Sequence, residues 1–140
     1  MTPRSNTSKA FRFIVVLAFA VTNFFAIPGI FYPITAAEKL GAATPNEAVW
    51  AAFGFLLSFL VSLFSIPVVL DVGRYRFNAF IGIVGHFVMF IYWFIVYPHQ
   101  TNEFVPWIAW FELLVGVAEA ILLSRVLTEL IENPSLDGNP

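Results

Sequence analysis

The sequence predicts an all-α polytopic membrane protein with four transmembrane helices in an antiparallel bundle. Of its 140 residues, 59% are hydrophobic and 18% aromatic, and only 11% are charged, whereas charged residues make up about 25% of an ordinary soluble domain. A helix needs about 20 apolar residues to cross the hydrocarbon core of a bilayer, which is about 30 Å thick. Four segments of the chain have this length. The chain is short enough for one domain over residues 1–140.

The predicted spans cover residues 12–32, 48–70, 77–97 and 104–127, and the polar tails 1–9 and 133–140 are expected to be disordered. Pro28-Gly29 predicts a kink or an early end of the first helix near Ala26, followed by a short interfacial piece at ITAAEKLG. Thr44-Pro45-Asn46-Glu47 predicts the start of the second helix, because proline fits a first turn and an acid suits its positive end.

The distribution of basic residues predicts that both termini are cytoplasmic. On one side lie Arg4, Lys9, Arg12, Arg74, Arg76 and Arg125, and on the other only Lys39. An excess of Lys and Arg marks the cytoplasmic side of a membrane protein. We therefore expect an integral protein of the bacterial inner (plasma) membrane, with the lipid bilayer as a partner. A net charge of −2 leaves no basic patch for nucleic acid.

The stretch WFELLVGVAEAILL, residues 110–123, places two carboxylic acids in an apolar span. Glu112 and Glu119 are seven positions apart, so in a helix they point within about 20° of each other. Gly116 lies near the same direction and leaves room for a neighbouring helix or a bound molecule. Measured from Phe104, the acids lie about 12 Å and about 22 Å deep. Because a lone ionised carboxylate is costly there, each acid must be protonated, paired or in contact with an aqueous cavity.

His86, in span three, lies about 14 Å from the other end of its helix, between the depths of the two acids. Two interpretations of His86, Glu112 and Glu119 stay open. In the structural one, a protonated or His-paired acid locks helix four to helix three. In the functional one, these three candidate catalytic residues act as a proton carrier, a general acid or a ligand anchor.

A stripe of small residues in span two predicts close helix packing. Its members, Gly54, Ser58, Ser62 and Ser65, recur at steps of four, four and three. Their hydroxyls can bond across helices or to their own chain, and the alternative is the polar wall of a binding cavity. Asn23 in span one is expected to join the same polar interior.

Two further features complete the candidate residues. In the turn between spans two and three, Asp71 and Arg74 predict an interfacial ion pair, with Arg74 also suited to anionic lipid headgroups. The aromatic run FVMFIYWF in span three, which contains Trp93, predicts lipid-facing and core packing or, alternatively, a wall for a flat apolar ligand.

Several kinds of site are excluded or not supported. The chain has no cysteine, which excludes disulfides, thiolate catalysis and thiolate metal sites. A haem with two axial histidines is not expected, because His99 is predicted in an external loop far from His86. No Glu-x-x-His pair supports a di-metal bundle. We expect no metal and no cofactor other than a bound lipid or quinone.

The order of Leu40-Gly41, the turn from Asp71 to Arg76, Gly82/Gly85 and Glu119 resembles that of the DoxX-like small four-helix membrane proteins. The resemblance covers most of residues 12–127 and implies their architecture. Some members are subunits of membrane redox complexes, and many have no assigned activity, so the resemblance implies no reaction. Four-helix sterol-isomerase and sterol-binding proteins are similar in architecture only.

Three functional hypotheses follow, of which the first is favoured. It is a non-catalytic accessory or structural subunit of a larger, possibly redox, membrane complex, with other membrane subunits or further copies of the chain as partners. The second is a protein that binds a quinone, sterol-like or isoprenoid ligand between helices three and four, or an isomerase that uses the buried acids. Its candidate ligand-binding residues are His86, Trp93, Glu112, Gly116 and Glu119, and it predicts a cavity that reaches them. The third, proton or ion translocation, requires a polar path to both surfaces.

Overall fold

The computed structural model describes residues 5–40, 45–96 and 104–132, and this described part is helical without any strand. Its elements are α1 (Asn6–Phe31), α2 (Pro33–Lys39), α3 (Pro45–Leu63), α4 (Ser65–Leu70), α5 (Arg76–Ile91), a π-helical turn (Tyr92–Val96) and α6 (Phe104–Glu132). Within it, Asn6–Phe31, Asn46–Leu70, Arg76–Ile95 and Val105–Glu132 are long and apolar enough to cross a membrane. The four predicted membrane-crossing segments are therefore confirmed as helices. The predictions on Gly41, Thr44, Tyr97, His99 and residues 133–140 fall outside the described residues.

Helix α1 begins six residues before the predicted span and ends one residue short of it. It begins at Asn6 because Ser5 caps it, accepting a hydrogen bond from the Ser8 N–H at 3.1 Å. Residues 6–9 of the tail expected to be disordered are thus helical. The predicted early end near Ala26 is wrong, since the helix runs through Pro28 to Phe31. Proline removes one donor from the last turns, but its carbonyl still accepts from Tyr32 N–H at 2.8 Å.

The two helices directly after α1 both begin at a proline. Helix α2 covers most of the predicted short piece ITAAEKLG and has Pro33 at its first position. Helix α3 begins at Pro45, as predicted, with Glu47 in its first turn. A feature that was not predicted is the break between α3 and α4. Pro67 cannot donate to the carbonyl four residues earlier, at Leu63, and α3 ends at that residue.

The four spans pack side by side in a closed ring. Helix α1 contacts α3 and α6, and α5 contacts the same two helices from the other side. The buried residues form two apolar clusters. The first cluster contains Ala37, Leu40, Ala51, Phe55, Met89, Tyr92, Trp93, Val105 and Ala109. The second cluster contains Phe11, Val15, Val68, Val72, Ala79, Ile83, Leu123 and Val126. In α3–α4, α5 and α6, the buried polar residues lie along the chain between members of the two clusters, and in α1 they lie between the second cluster and Ile30, which packs on the first.

Two glycines of α5 allow a matched test of this packing. A Cβ on Gly85 would lie 2.1 Å from a methyl carbon of Val61 on α3, whereas a Cβ on Gly82 would meet nothing closer than the Ser65 hydroxyl oxygen at 3.8 Å. Gly85→Ala should therefore lower the free energy of unfolding by about 1–3 kcal/mol through overpacking. Gly82→Ala should leave it unchanged or raise it by up to about 1 kcal/mol, because alanine is the better helix former. Thermal unfolding of the purified variants in detergent, followed by circular dichroism, measures both, and equal melting temperatures would contradict the α3–α5 contact.

Candidate functional site

Buried polar side chains occupy the middle of the ring. They are Thr22, Asn23, Ser58, Ser62, Ser65, His86, Glu112 and Glu119, and we call them the polar layer. Every one of the four spans contributes at least one member. The outward faces are instead apolar, with exposed side chains such as Phe13, Phe24 and Leu114. This arrangement, polar inside and apolar outside, is the one that a bilayer favours.

His86 lies between the two acids, as its depth predicts. Its Nδ1 is 2.5 Å from Glu112 Oε2, and its Nε2 is 3.8 Å from Glu119 Oε2. All three side chains are buried, with exposed fractions of 7%, 4% and 2% for His86, Glu112 and Glu119. Gly116 makes the approach possible, because a Cβ there would lie 3.1 Å from the Cβ of His86. The structure thus brings together the residues of the predicted cluster on α5 and α6.

The polar layer continues from α3 to α1 through Asn23 and Ser62. The Asn23 Nδ2 donates to Ser62 Oγ at 2.9 Å and to the Phe19 carbonyl at 2.8 Å. The Ser62 hydroxyl in turn donates to the Phe59 carbonyl at 2.7 Å. The small-residue stripe therefore bonds both across helices and to its own chain. Asn23 lies in the polar interior, as expected.

A chamber of about 170 Å³ adjoins the polar layer on the side of α1. Its walls are Val21, Thr22, Phe25, Ala26, Phe55, Ser58, Trp93, Trp107, Ile108, Phe111 and Glu112. Five of these side chains are aromatic, and the polar ones are Glu112, Ser58 and Thr22. Trp107, 71% exposed, and Phe25 lie at the outward side of the chamber, on α6 and α1. The chamber therefore opens toward the membrane-facing surface between these two helices.

The chamber differs in position from the predicted ligand site. Of the candidate ligand residues, Glu112 and Trp93 line it, whereas His86 and Glu119 lie behind Glu112 and Gly116 packs on His86. The chamber is thus bordered by α1, α3, the π-helical turn and α6, and not by α5 and α6 alone. The reason is that the missing side chain at Gly116 lets α5 close against α6.

Three buried oxygens of the polar layer have no hydrogen-bond partner among the described residues. They are the Thr22 hydroxyl, in the chamber wall, Oδ1 of Asn23 and Oε1 of Glu119. A buried polar atom without a partner costs about 1–3 kcal/mol, so such atoms are rare in native proteins. Sequence reasoning missed Thr22, because neighbouring residues of a helix point about 100° apart and its place beside Asn23 does not show what it faces. It also missed Trp107, whose role depends on how α6 packs against α1.

The predicted ion pair between Asp71 and Arg74 is not formed. The Asp71 carboxylate accepts instead from the backbone N–H of Arg74 at 3.0 Å, which closes the turn. The Arg74 guanidinium lies over the Tyr75 ring, 5.5 Å from its centroid. A short turn favours this bond, because an Asp side chain readily accepts from an N–H a few residues ahead. Among the described residues, no group of three or more His, Asp or Glu side chains could hold a metal ion.

A comparison of the chain with family models, curated proteins and solved structures finds no significant match.

The distances from His86 predict unequal coupling to the two acids. Removing one partner of a buried ion pair typically costs about 3–5 kcal/mol, because the other partner stays buried and unpaired. We expect His86→Phe to cause a loss of this size. In the His86→Phe variant, a second substitution Glu112→Leu should restore more of the free energy of unfolding than Glu119→Leu does. The reason is that Glu112 is in hydrogen-bond contact with the imidazole and so loses more when the imidazole is removed. Double-mutant cycles from chemical unfolding measure both couplings. Equal coupling energies would contradict the asymmetry seen here.

Proposed function

We propose that the chain is an integral membrane protein that binds a lipophilic molecule with a hydrogen-bonding oxygen, of the quinone, sterol-like or isoprenoid class. The observation that carries the proposal is the chamber of about 170 Å³, whose aromatic walls lead to the carboxyl group of Glu112. Ligand sites combine mostly apolar walls with a few polar groups that fix orientation. The chamber has this composition. A ligand oxygen would also give the Thr22 hydroxyl a partner.

The cluster of His86, Glu112 and Glu119 allows Glu112 to bind either a hydroxyl or a carbonyl oxygen of a ligand. Two carboxyl groups and one imidazole carry no net charge when they hold two titratable protons, whether both acids are protonated or one acid and the imidazole are. A shift between these states moves a proton from His86 to Glu112, which are 2.5 Å apart, without placing a net charge in the apolar interior. Glu112 can therefore accept a hydrogen bond from a ligand hydroxyl or donate one to a ligand carbonyl.

The membrane itself supplies a path for such a ligand. The exposed Trp107 and Phe25 face the same apolar surroundings as the rest of the outer surface. A molecule dissolved in the bilayer could pass between α1 and α6 without entering water. This path supports a lipophilic ligand over a water-soluble one.

Other expectations from the sequence stay predictions. These are the accessory-subunit role, the DoxX-like relationship and the association with partner subunits or further copies. The exposed apolar faces suit lipid and partner helices equally. We also propose an antiparallel arrangement of the spans in the bacterial inner membrane with both termini cytoplasmic, supported by the six basic residues on one side against one on the other.

The orientation can be tested directly because the chain has no cysteine. Single variants Ser5→Cys and Lys39→Cys place one thiol at the start of α1 and one at the end of α2. In intact spheroplasts, a membrane-impermeant maleimide should label Lys39→Cys and not Ser5→Cys. Both should be labelled after lysis, which serves as the accessibility control. Labelling of Ser5→Cys in intact cells would reverse the proposed orientation.

Binding can be followed by tryptophan fluorescence with a tailless benzoquinone as the probe. Trp93 and Trp107 line the chamber, so the probe should quench fluorescence in a saturable manner. Glu112→Gln keeps the side-chain volume but loses the acid, and it should weaken binding by about tenfold, which corresponds to about 1.4 kcal/mol. Thr22→Val should weaken binding less, because a neutral hydrogen bond contributes less.

The matched control is Glu129→Gln, which removes an acid that is bonded to Thr7 and is not part of the chamber wall. It should leave quenching unchanged. Unsaturable quenching that is the same in the original protein and in a folded Glu112→Gln variant would refute the chamber as a binding site.

A further inference from the structure

A second and larger cavity adjoins the chamber. It has a volume of about 790 Å³ and lies along α1 from Asn23 to Tyr32, against α2 and Phe55 of α3. We call it the crevice. Phe25, Phe55 and Ile108 line both cavities, so the crevice and the chamber are separated by no more than these side chains.

The partition between the two cavities is set by a glycine. The Phe55 ring lies so close to Gly29 that a Cβ there would be 2.3 Å from two of its ring carbons. The Phe55 ring also packs against Trp93, with 5.4 Å between ring centroids. Gly29 therefore lets an aromatic wall lie directly against the backbone of α1. A larger side chain at this position would push Phe55 into one of the cavities.

The crevice has one polar end. Tyr32, Thr35 and Lys39 line it where α1 meets α2, and all three are exposed. The rest of its wall is mainly apolar, down to Asn23 at the polar layer. The helix advances about 14 Å between Asn23 and Tyr32 at 1.5 Å per residue. The two cavities are thus neighbours on either side of shared side chains, with a cationic and hydroxyl-bearing end at Lys39 and a carboxyl group, Glu112, at the other end.

We propose that the crevice and the chamber together hold one elongated amphiphile with two polar ends. An anionic head, such as a carboxylate, lies at Lys39 and Tyr32, an apolar body fills the crevice, and a hydroxyl or carbonyl oxygen at the far end meets Glu112. This inference rests on the proposed function of the chamber and narrows its ligand to an oxygenated terpenoid acid, a member of the isoprenoid class. A ring with a purely apolar tail fits less well, because its tail would end beside the exposed Lys39. A phospholipid chain would place a methyl group against the Glu112 carboxyl.

Three probes of equal chain length separate the two ends of the site: ω-hydroxylaurate, laurate and lauryl alcohol. Each competes with the tailless benzoquinone, and recovery of tryptophan fluorescence reports its binding, at concentrations expressed per detergent micelle. The variants are Lys39→Met for the head, Glu112→Gln for the far end and Lys9→Met as the control, since Lys9 is the only other lysine. Affinities are corrected for the binding of benzoquinone to each variant.

In the original protein, ω-hydroxylaurate should bind about tenfold more tightly than either laurate or lauryl alcohol. Lys39→Met should abolish the difference in affinity between ω-hydroxylaurate and lauryl alcohol. The affinity for lauryl alcohol itself should not change. Glu112→Gln should reduce the ratio of the affinities for ω-hydroxylaurate and laurate by about fivefold. Lys9→Met should change neither difference.

Equal binding of ω-hydroxylaurate and laurate would overturn the inference and make the crevice an ordinary groove for acyl chains. A uniform loss for all three probes in Lys39→Met would overturn it as well, because the head group would then have no role. If benzoquinone binds saturably and none of the three probes displaces it, this inference fails while the chamber stands. If benzoquinone itself does not bind, the proposed function fails.

Discussion

The need to keep two carboxylic acids electrically neutral in an apolar interior governs the rest of this structure. An ionised carboxylate without a counter-charge is costly in such surroundings. His86 contacts both acids, because each of its ring nitrogens faces one carboxyl group, at 2.5 Å for Glu112 and 3.8 Å for Glu119. A protonated imidazole balances the charge of one carboxylate, and the other acid is neutral when it holds its own proton. The imidazole can reach them only if α5 lies close against α6. Gly116, which has no side chain to separate the helices, allows that approach.

The position of the chamber follows from the same contact. Because α5 is closed against α6, the chamber beside Glu112 lies on the side of α1. There the small side chains Thr22 and Ala26 of α1 and Ser58 of α3 leave room in front of the carboxyl group. The aromatic side chains farther out, including Trp107, enclose that room. A close helix pair on one side of Glu112 and a chamber on the other thus produce an acid that is paired with His86 and also lines a cavity.

The sequence allowed the cluster to be predicted, but not the cavity. The seven-residue spacing of Glu112 and Glu119 and the depth of His86 follow from the geometry of a straight helix, which needs no knowledge of neighbours. Which helix faces Glu112 on its open side depends on the rotation and packing of all four spans. Chain position does not give these, so Thr22 and Trp107 were missed. Proline effects were predictable only in part. The break after Leu63 follows from Pro67, whereas α1 tolerates Pro28 because only the final turn depends on it.

The surroundings of the polar layer limit what chemistry the acids can support. In every span, the residues of the polar layer lie along the chain between buried residues of the two apolar clusters or their close neighbours. Translocation of protons would require a path of polar groups to both surfaces, and such a path would have to cross both apolar clusters. The proposed ligand needs no such path, because the chamber lies between α1 and α6 at the outer surface. If Glu112 takes a proton from a ligand, the layout of the described residues favours its return to the same ligand, as in an isomerisation, over its release to a surface. The same feature that weighs against a proton channel is thus compatible with binding and with acid–base chemistry confined to the chamber.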